Sequence, residues 1–135
     1  MTYYAVIDTN VLVSAMLNFS SVPGKVAEKA LVAEIIPLLN DEILAEYREV
    51  LLRPKFKFNP QKVEILLDGI AKRALFIDAE NVEEQLPDPK DVVFYEVTMA
   101  ARKNDNAYLI TGNIKHFPAK PFVVTPREML DIIGE

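Results

Sequence analysis

The sequence predicts an α/β fold with a mostly parallel sheet, right-handed crossovers and helices on both faces. Short apolar runs rich in β-branched or aromatic residues alternate with segments of helical apolar spacing, in the order βα·α·βα·α·βα·βαβα. Polar or acidic residues follow several of those runs, at Asp8, Asn40-Asp41 and Thr111-Gly112-Asn113. The chain has 135 residues, half of them apolar and 26% charged, so one globular domain spanning 1–135 is expected. A domain of this size buries roughly two-thirds of its unfolded surface, enough for a real core.

Tyr3 to Ile7 reads as a buried strand that stops at Asp8. Thr9 and Asn10 suit a helix cap, and Val11 to about Leu17 continues as a helix. Asn18 to Gly24 is a break, after which Lys25 to Ala33 resumes a helix with Val26, Ala27, Ala30 and Leu31 at helical spacing. Glu34 to Leu39 is a second short strand, weakened at Pro37, which removes a ladder donor. Asn40-Asp41 caps the next helix, from about Glu42 to Arg53, which ends at Pro54. On that helix Glu46 lies about 100° from the centre of the stripe made by Ile43, Leu44, Tyr47, Val50 and Leu51, while Glu42 and Glu49 face solvent.

The stretch Arg53-Pro54-Lys55-Phe56-Lys57-Phe58 reads as core-anchoring aromatics between solvated lysines, or as contacts for phosphate and base. Pro60 to about Ala74 is helical, Leu75 to Ile77 is a third strand, and Asp78 to Gln85 is an acidic loop. Pro87 and Pro89 stiffen a loop that delivers Asp91 to the start of a helix running to about Lys103. Glu96 has the same border geometry on that helix as Glu46 on its own. Ala107 to Thr111 is a buried strand, Phe122 to Thr125 the last one, and Pro126 begins a closing helix through Ile133.

Composition narrows the chemistry. The absence of cysteine excludes disulfides, thiolate metal sites and cysteine catalysis, and a single histidine, His116, excludes a multi-histidine zinc site. Oxygen ligands remain, and these suit magnesium or manganese. The net charge of −5 argues mildly against binding nucleic acid by bulk attraction, and leaves room for an acidic metal site flanked by local basic residues. No apolar run approaches the ~18 residues of a membrane span, and no basic start leads into an apolar signal segment, so a cytoplasmic protein is expected. The four glycines are scattered, and neither a Gly-x-Gly-x-x-Gly nor a phosphate-loop pattern occurs. A phosphorylated receiver-like domain would need an adjacent acid pair after the first strand and a lysine after the last. Thr9 follows Asp8, and Thr125-Pro126 follows Val124.

Ligands in open parallel sheets bind beyond the carboxyl ends of the strands. Asp8, Asp91 and the turn Thr111-Gly112-Asn113 fall on that rim, and Glu46 joins them if its helix packs beside the first strand. Taken singly, each has an ordinary reading: Asp8 as a turn residue, Glu46 as a border residue paired with Arg53, Asp91 as a helix-start acid, His116 as a surface or packing histidine. Taken together, carboxylates from distant parts of the chain repel unless a cation holds them.

Four stretches then carry a resemblance: Val6-Ile7-Asp8-Thr9-Asn10-Val11-Leu12, Glu42-Ile43-Leu44-Ala45-Glu46-Tyr47 with Val50-Leu51, Pro87-Asp88-Pro89-Lys90-Asp91, and Leu109-Ile110-Thr111-Gly112-Asn113. In this order and spacing the chain resembles PIN domains over nearly its whole length, and within them the stand-alone bacterial and archaeal toxins of toxin–antitoxin systems. The resemblance implies a three-layer α/β/α sandwich with about five strands and a Mg²⁺- or Mn²⁺-dependent ribonuclease that hydrolyses RNA phosphodiester bonds. By motif position Asp8, Glu46 and Asp91 are the metal-binding catalytic acids, with Thr9, Asn10 and Thr111 orienting waters and ligands behind them. The family's fourth acid commonly follows Thr-Gly; this chain has Asn113 there, an amide that ligates without adding charge. Glu96 or Asp88 is expected to supply the missing charge. Arg48, Arg53, Lys55, Lys57 and Lys115 are candidate phosphate contacts. An antitoxin partner and a homodimer are expectations of the same resemblance. The competing reading is a PIN-like module that has lost catalysis and acts through RNA or protein contacts, favoured by Asn113.

Overall fold

The structure, a computed structural model, describes residues 2–135. Five strands, β1 (Tyr3–Ile7), β2 (Ile35–Leu39), β3 (Leu75–Phe76), β4 (Ala107–Ile110) and β5 (Val123–Val124), form one sheet in the order β3-β2-β1-β4-β5. Every pairing is parallel, so the mostly parallel sheet expected from sequence is wholly so. The helices are α1 (Thr9–Leu17), α2 (Val22–Leu31), α3 (Asp41–Leu51), α4 (Pro60–Arg73), α5 (Val92–Ala101) and α6 (Pro126–Ile132).

The chain works outward from β1 to β2 and β3, then returns through α5 to β4 and β5. The order therefore reverses between β1 and β4, which is where an open sheet leaves a crevice at its carboxyl rim. Helix α5 packs on β1, β2 and β4, whereas α2 and α4 pack on β2. Right-handed crossovers running in opposite directions along a sheet lie on opposite faces, which makes three layers. Ala5, Val6 and Ile7 of β1 and Leu109 and Ile110 of β4 are buried between those layers. Around them Leu12, Leu38, Ile43, Leu67, Ile70 and Phe94 are buried too, each contributing about 1.5–3 kcal/mol of transfer free energy.

Several boundaries differ from the sequence reading. Helix α1 starts at Thr9, and neither Thr9 nor Asn10 caps it. Asp8 holds the N-cap position without a side-chain cap bond, because Thr9 and Asn10 spend their polar groups on other partners. The break expected over Asn18 to Gly24 ends at Ser21. The Ser21 hydroxyl accepts from the Gly24 N–H at 3.2 Å, and Pro23 fits the first turn of α2. A Cβ on Gly24 would stand 2.1 Å from the Phe19 carbonyl oxygen, so only glycine lets the first turn of α2 approach the preceding turn there. Pro37 lies inside β2, and β3 pairs only with Leu38 and Leu39 beyond it. Strand β3 is shorter than expected, and its Leu75 and Phe76 are exposed on the sheet edge. A 3-10 turn, Ile114–His116, replaces the helix expected between β4 and β5. Asn40 caps α3 as expected, accepting from Ile43 N–H at 2.8 Å. The capping box of Thr125 and Glu128 at α6 was not anticipated.

Candidate acidic centre

Strand β1 delivers Asp8 to the rim on a backbone held from both sides. The Asp8 N–H continues the β1–β4 ladder to the Ile110 carbonyl at 2.9 Å, and the Asp8 carbonyl accepts from Val11 N–H at 3.0 Å. Asp8 is 6% exposed. The Thr111 hydroxyl, from the end of β4, donates to Asp8 Oδ2 at 2.7 Å, spanning the crevice where the strand order reverses. The Asn10 amide donates to the same oxygen at 3.2 Å and accepts from the Gly112 N–H at 3.2 Å. Thr111 in turn accepts from the Asn113 N–H at 2.9 Å. The turn after β4 and the first turn of α1 are thus one hydrogen-bonded cradle around Asp8.

Helix α3 packs on α1, α5 and β2 and reaches the end of β1 through a side-chain bond. Glu46 accepts from the Thr9 hydroxyl at 2.6 Å, and the adjacent Tyr47 hydroxyl donates to the Ile7 carbonyl at 2.5 Å. Arg53 pairs with Glu49 at 2.9 Å, not with Glu46. Asp91 occupies the N-cap position of α5 yet makes no capping bond, so the helix-start role does not consume its carboxylate. Asp91 Oδ2 lies 3.4 Å from His116 Nδ1, and the Asp91 side chain is 16% exposed.

The acids feel one another. Burial pushes the Asp8 carboxyl up to about 6; the Thr111 hydrogen bond opposes the rise, and the charges of Asp91 and Glu46 add to it. Asp91 is also raised, first by burial and then by Asp88, with Glu46 contributing and His116 opposing. Asp8, Glu46 and Asp91, 83 residues apart along the chain at the extremes, therefore share one rim. Their approach stops short of a closed site: among the described residues no three His, Asp or Glu side chains are gathered tightly enough to grip an ion as they stand. Each holds a local partner instead, Thr111 and Asn10 for Asp8, Thr9 for Glu46, His116 for Asp91. The donors fit a hard cation in kind: all are oxygens, and Asp8 is a buried carboxylate whose charge no lysine or arginine offsets.

The remaining candidates are placed less centrally. Asn113 is exposed and enters the cradle through its backbone N–H. Glu96 is raised by burial and by Glu42, so its acidic neighbour is Glu42. Asp88 stands near enough to raise Asp91, while its side chain caps Lys90 N–H at 2.9 Å. Arg48 is held bidentately by Glu64 at 2.9 and 3.0 Å, and Arg53 by Glu49, so both arginines are committed elsewhere. Phe56 and Phe58 stack on each other at 5.4 Å with Lys55 over Phe56. Lys57 and Lys115 are exposed. A shallow hollow of about 220 Å³ is lined by Asn10, Ser14, Gly112 and Asn113, among others, and by none of the three acids. Two residues near the acids were undervalued by sequence reasoning. Tyr47 was placed in an apolar stripe, and His116 gave no local signal, because its approach to Asp91 depends on the turn after β4.

Fold and site together define an α/β/α protein with an acidic centre at the carboxyl rim of a parallel sheet. The family model of the PIN domain matches residues 4–115, and the chain belongs to that family. PIN domains are generally nucleases that act on nucleic acid, typically with divalent metals. Neither the curated proteins nor the solved structures include a significant match to this chain. Among the described residues no helix is long and apolar enough to cross a membrane.

Proposed function

We propose that this protein is a Mg²⁺- or Mn²⁺-dependent endoribonuclease, the toxin of a toxin–antitoxin pair, folded as a single cytoplasmic domain over residues 1–135. The observation that carries the reading is the buried Asp8 at the carboxyl rim of a PIN domain, where the charges of Asp91 and Glu46 act on it. Three carboxylates in mutual repulsion, with no lysine or arginine against Asp8, form a place that a cation stabilises.

Asp8, Glu46 and Asp91 would hold the metal, with Asn113 and Glu96 as further candidates. The bound metal supplies a more acidic water and charge neutralisation for phosphodiester hydrolysis. The chain's own residues do the rest. Thr111 and Asn10 fix the Asp8 carboxylate against rotation by donating to one of its oxygens. Thr9 fixes Glu46, so the hydroxyl and amide donors behind the acids set their orientation. The hollow lined by Asn10, Gly112 and Asn113 adjoins the residues that hold Asp8 and would receive a neighbouring part of the substrate. With Arg48 and Arg53 committed to glutamates, Lys55, Lys57 and Lys115 are the basic groups left for RNA phosphates.

Cleavage of a labelled single-stranded RNA with EDTA, Mg²⁺ or Mn²⁺, alongside Asp8→Asn and a DNA strand of the same sequence, tests this. Metal-dependent cutting of RNA that disappears in the variant supports it; no cutting of any RNA by folded, metal-bound wild type overturns it. The exposed Asn113 favours a second reading, a PIN-like module that binds RNA or protein with weakened catalysis. Asn113→Asp separates the two: a gain of activity shows a working centre short of one charge. Size-exclusion and co-expression with a neighbouring small gene test the homodimer and antitoxin.

A further inference from the structure

We propose that Tyr47 is a positioning residue for the acidic centre: its phenol sets the geometry between Asp8 and Glu46. This rests on those acids forming the site. The peptide joining Ile7 to Asp8 gives its N–H to the Ile110 carbonyl on β4. Its carbonyl therefore points away from β4, toward β2, as alternation in a parallel ladder requires. The β1–β2 pairing ends at Ala5 opposite Pro37, so at Ile7 that side has no strand partner in register. The Tyr47 hydroxyl donates to this carbonyl instead. A leucine or phenylalanine would fill the apolar stripe of α3 equally well and leave a buried carbonyl unpaired.

What surrounds that bond makes it more than a core detail. Consecutive residues of α3, Glu46 and Tyr47, bond to Thr9 and Ile7, which flank Asp8 on either side. The helix carrying one acid is thereby fastened at the end of β1 and at the start of α1, two points that bracket Asp8. The Tyr47 ring, 1% exposed, also packs against Phe94 with centroids 6.3 Å apart. Phe94 lies on α5, the helix whose N-cap position Asp91 holds. One side chain thus touches the elements that present all three acids.

Tyr47→Phe keeps the ring and removes the hydroxyl. Mn²⁺ titration, thermal unfolding and amide exchange are measured on the full chain, with Ile70→Val as a core variant away from the rim. Mn²⁺ affinity should fall about tenfold in Tyr47→Phe and stay at the wild-type level in Ile70→Val. Exchange should accelerate at Asp8 and Thr9. Wild-type affinity in Tyr47→Phe, or equal losses in both variants, overturns the proposal. If the wild-type chain binds no Mn²⁺, the metal reading has failed on its own account. Amide exchange then decides for Tyr47: acceleration at residues 8, 9 and 46 keeps it as the organiser of this rim, and an unchanged pattern removes it.

Discussion

The carboxylates of this protein fall into two populations that obey the same electrostatics with opposite results. On the outer surface they stand against cations: Glu64 with Arg48, Glu49 with Arg53, Glu34 and Glu135 with Lys29. The guanidinium of Arg48 lowers Glu64, and the ammonium of Lys29 lowers Glu135. At the rim, Asp8 has hydroxyl and amide donors but no lysine or arginine, and burial with its acidic neighbours raises it. The surface pairs are screened, entropically costly and individually weak. The Asp8 charge is desolvated with no lysine or arginine against it, which costs folding free energy that an amide would not. The difference teaches that burial without a cation raises a carboxyl, whereas an exposed pair lowers it.

The most decisive way to break this comparison is to remove the rim charge. Asp8→Asn should reduce RNA cleavage by at least about a hundredfold while leaving the fold intact. The same variant should melt at a higher temperature than wild type in EDTA at pH 7.5, since it deletes a buried charge and keeps the acceptor for Thr111. A lower melting temperature would mean that Asp8 is an ordinary structural acid.

Acidity probes the same charge in the wild-type chain. The folded Asp8 carboxyl titrates at about 6 against an ordinary value of 3.8. Between those values the native state holds a proton that the unfolded chain has released. The contribution of Asp8 to stability is therefore complete below 3.8 and is lost as pH rises through 6. The loss is of order 3 kcal/mol. Metal-free unfolding followed from pH 4 to 7.5 should show this loss in wild type relative to Asp8→Asn; parallel profiles would place Asp8 in water.

Adding Mn²⁺ sharpens the contrast from the other side. At pH 7.5 a hundredfold excess over its dissociation constant should stabilise wild type by about 2.7 kcal/mol, read as a rise in Tm, and should leave Asp8→Asn nearly unmoved. Thr111→Val comes next. Without its hydroxyl donor Asp8 rises further, and cleavage should fall about tenfold, with Thr111→Ser restoring it. Smallest of all is Arg48→Met, which removes a bidentate surface pair. Cleavage should change less than twofold, and a larger loss would return Arg48 to the list of phosphate contacts.

Much of this was legible in the chain because the signals are local. The alternation of apolar runs and helical stripes requires only neighbours in sequence, so strands, helices and the Asn40 cap were placed within a few residues. Glu46 at the border of its stripe followed from helical geometry alone. The misplaced boundaries have a common cause. Gly24 admits α2 against the Phe19 carbonyl, and Thr9 and Asn10 turn from capping to Glu46 and Asp8, both through partners brought close by folding.

What the sequence by itself determined is the order of the strands and of the six α-helices, the oxygen-only ligand chemistry and the candidate acids, because periodicity and composition are properties of the chain. What only the tertiary structure decided is which donors meet which acids. Thr111 reaches Asp8 across 103 positions, and Tyr47 reaches the Ile7 carbonyl across 40. Burial then turned an ordinary aspartate into a charge with a cost, and that cost depends on every layer packed around it.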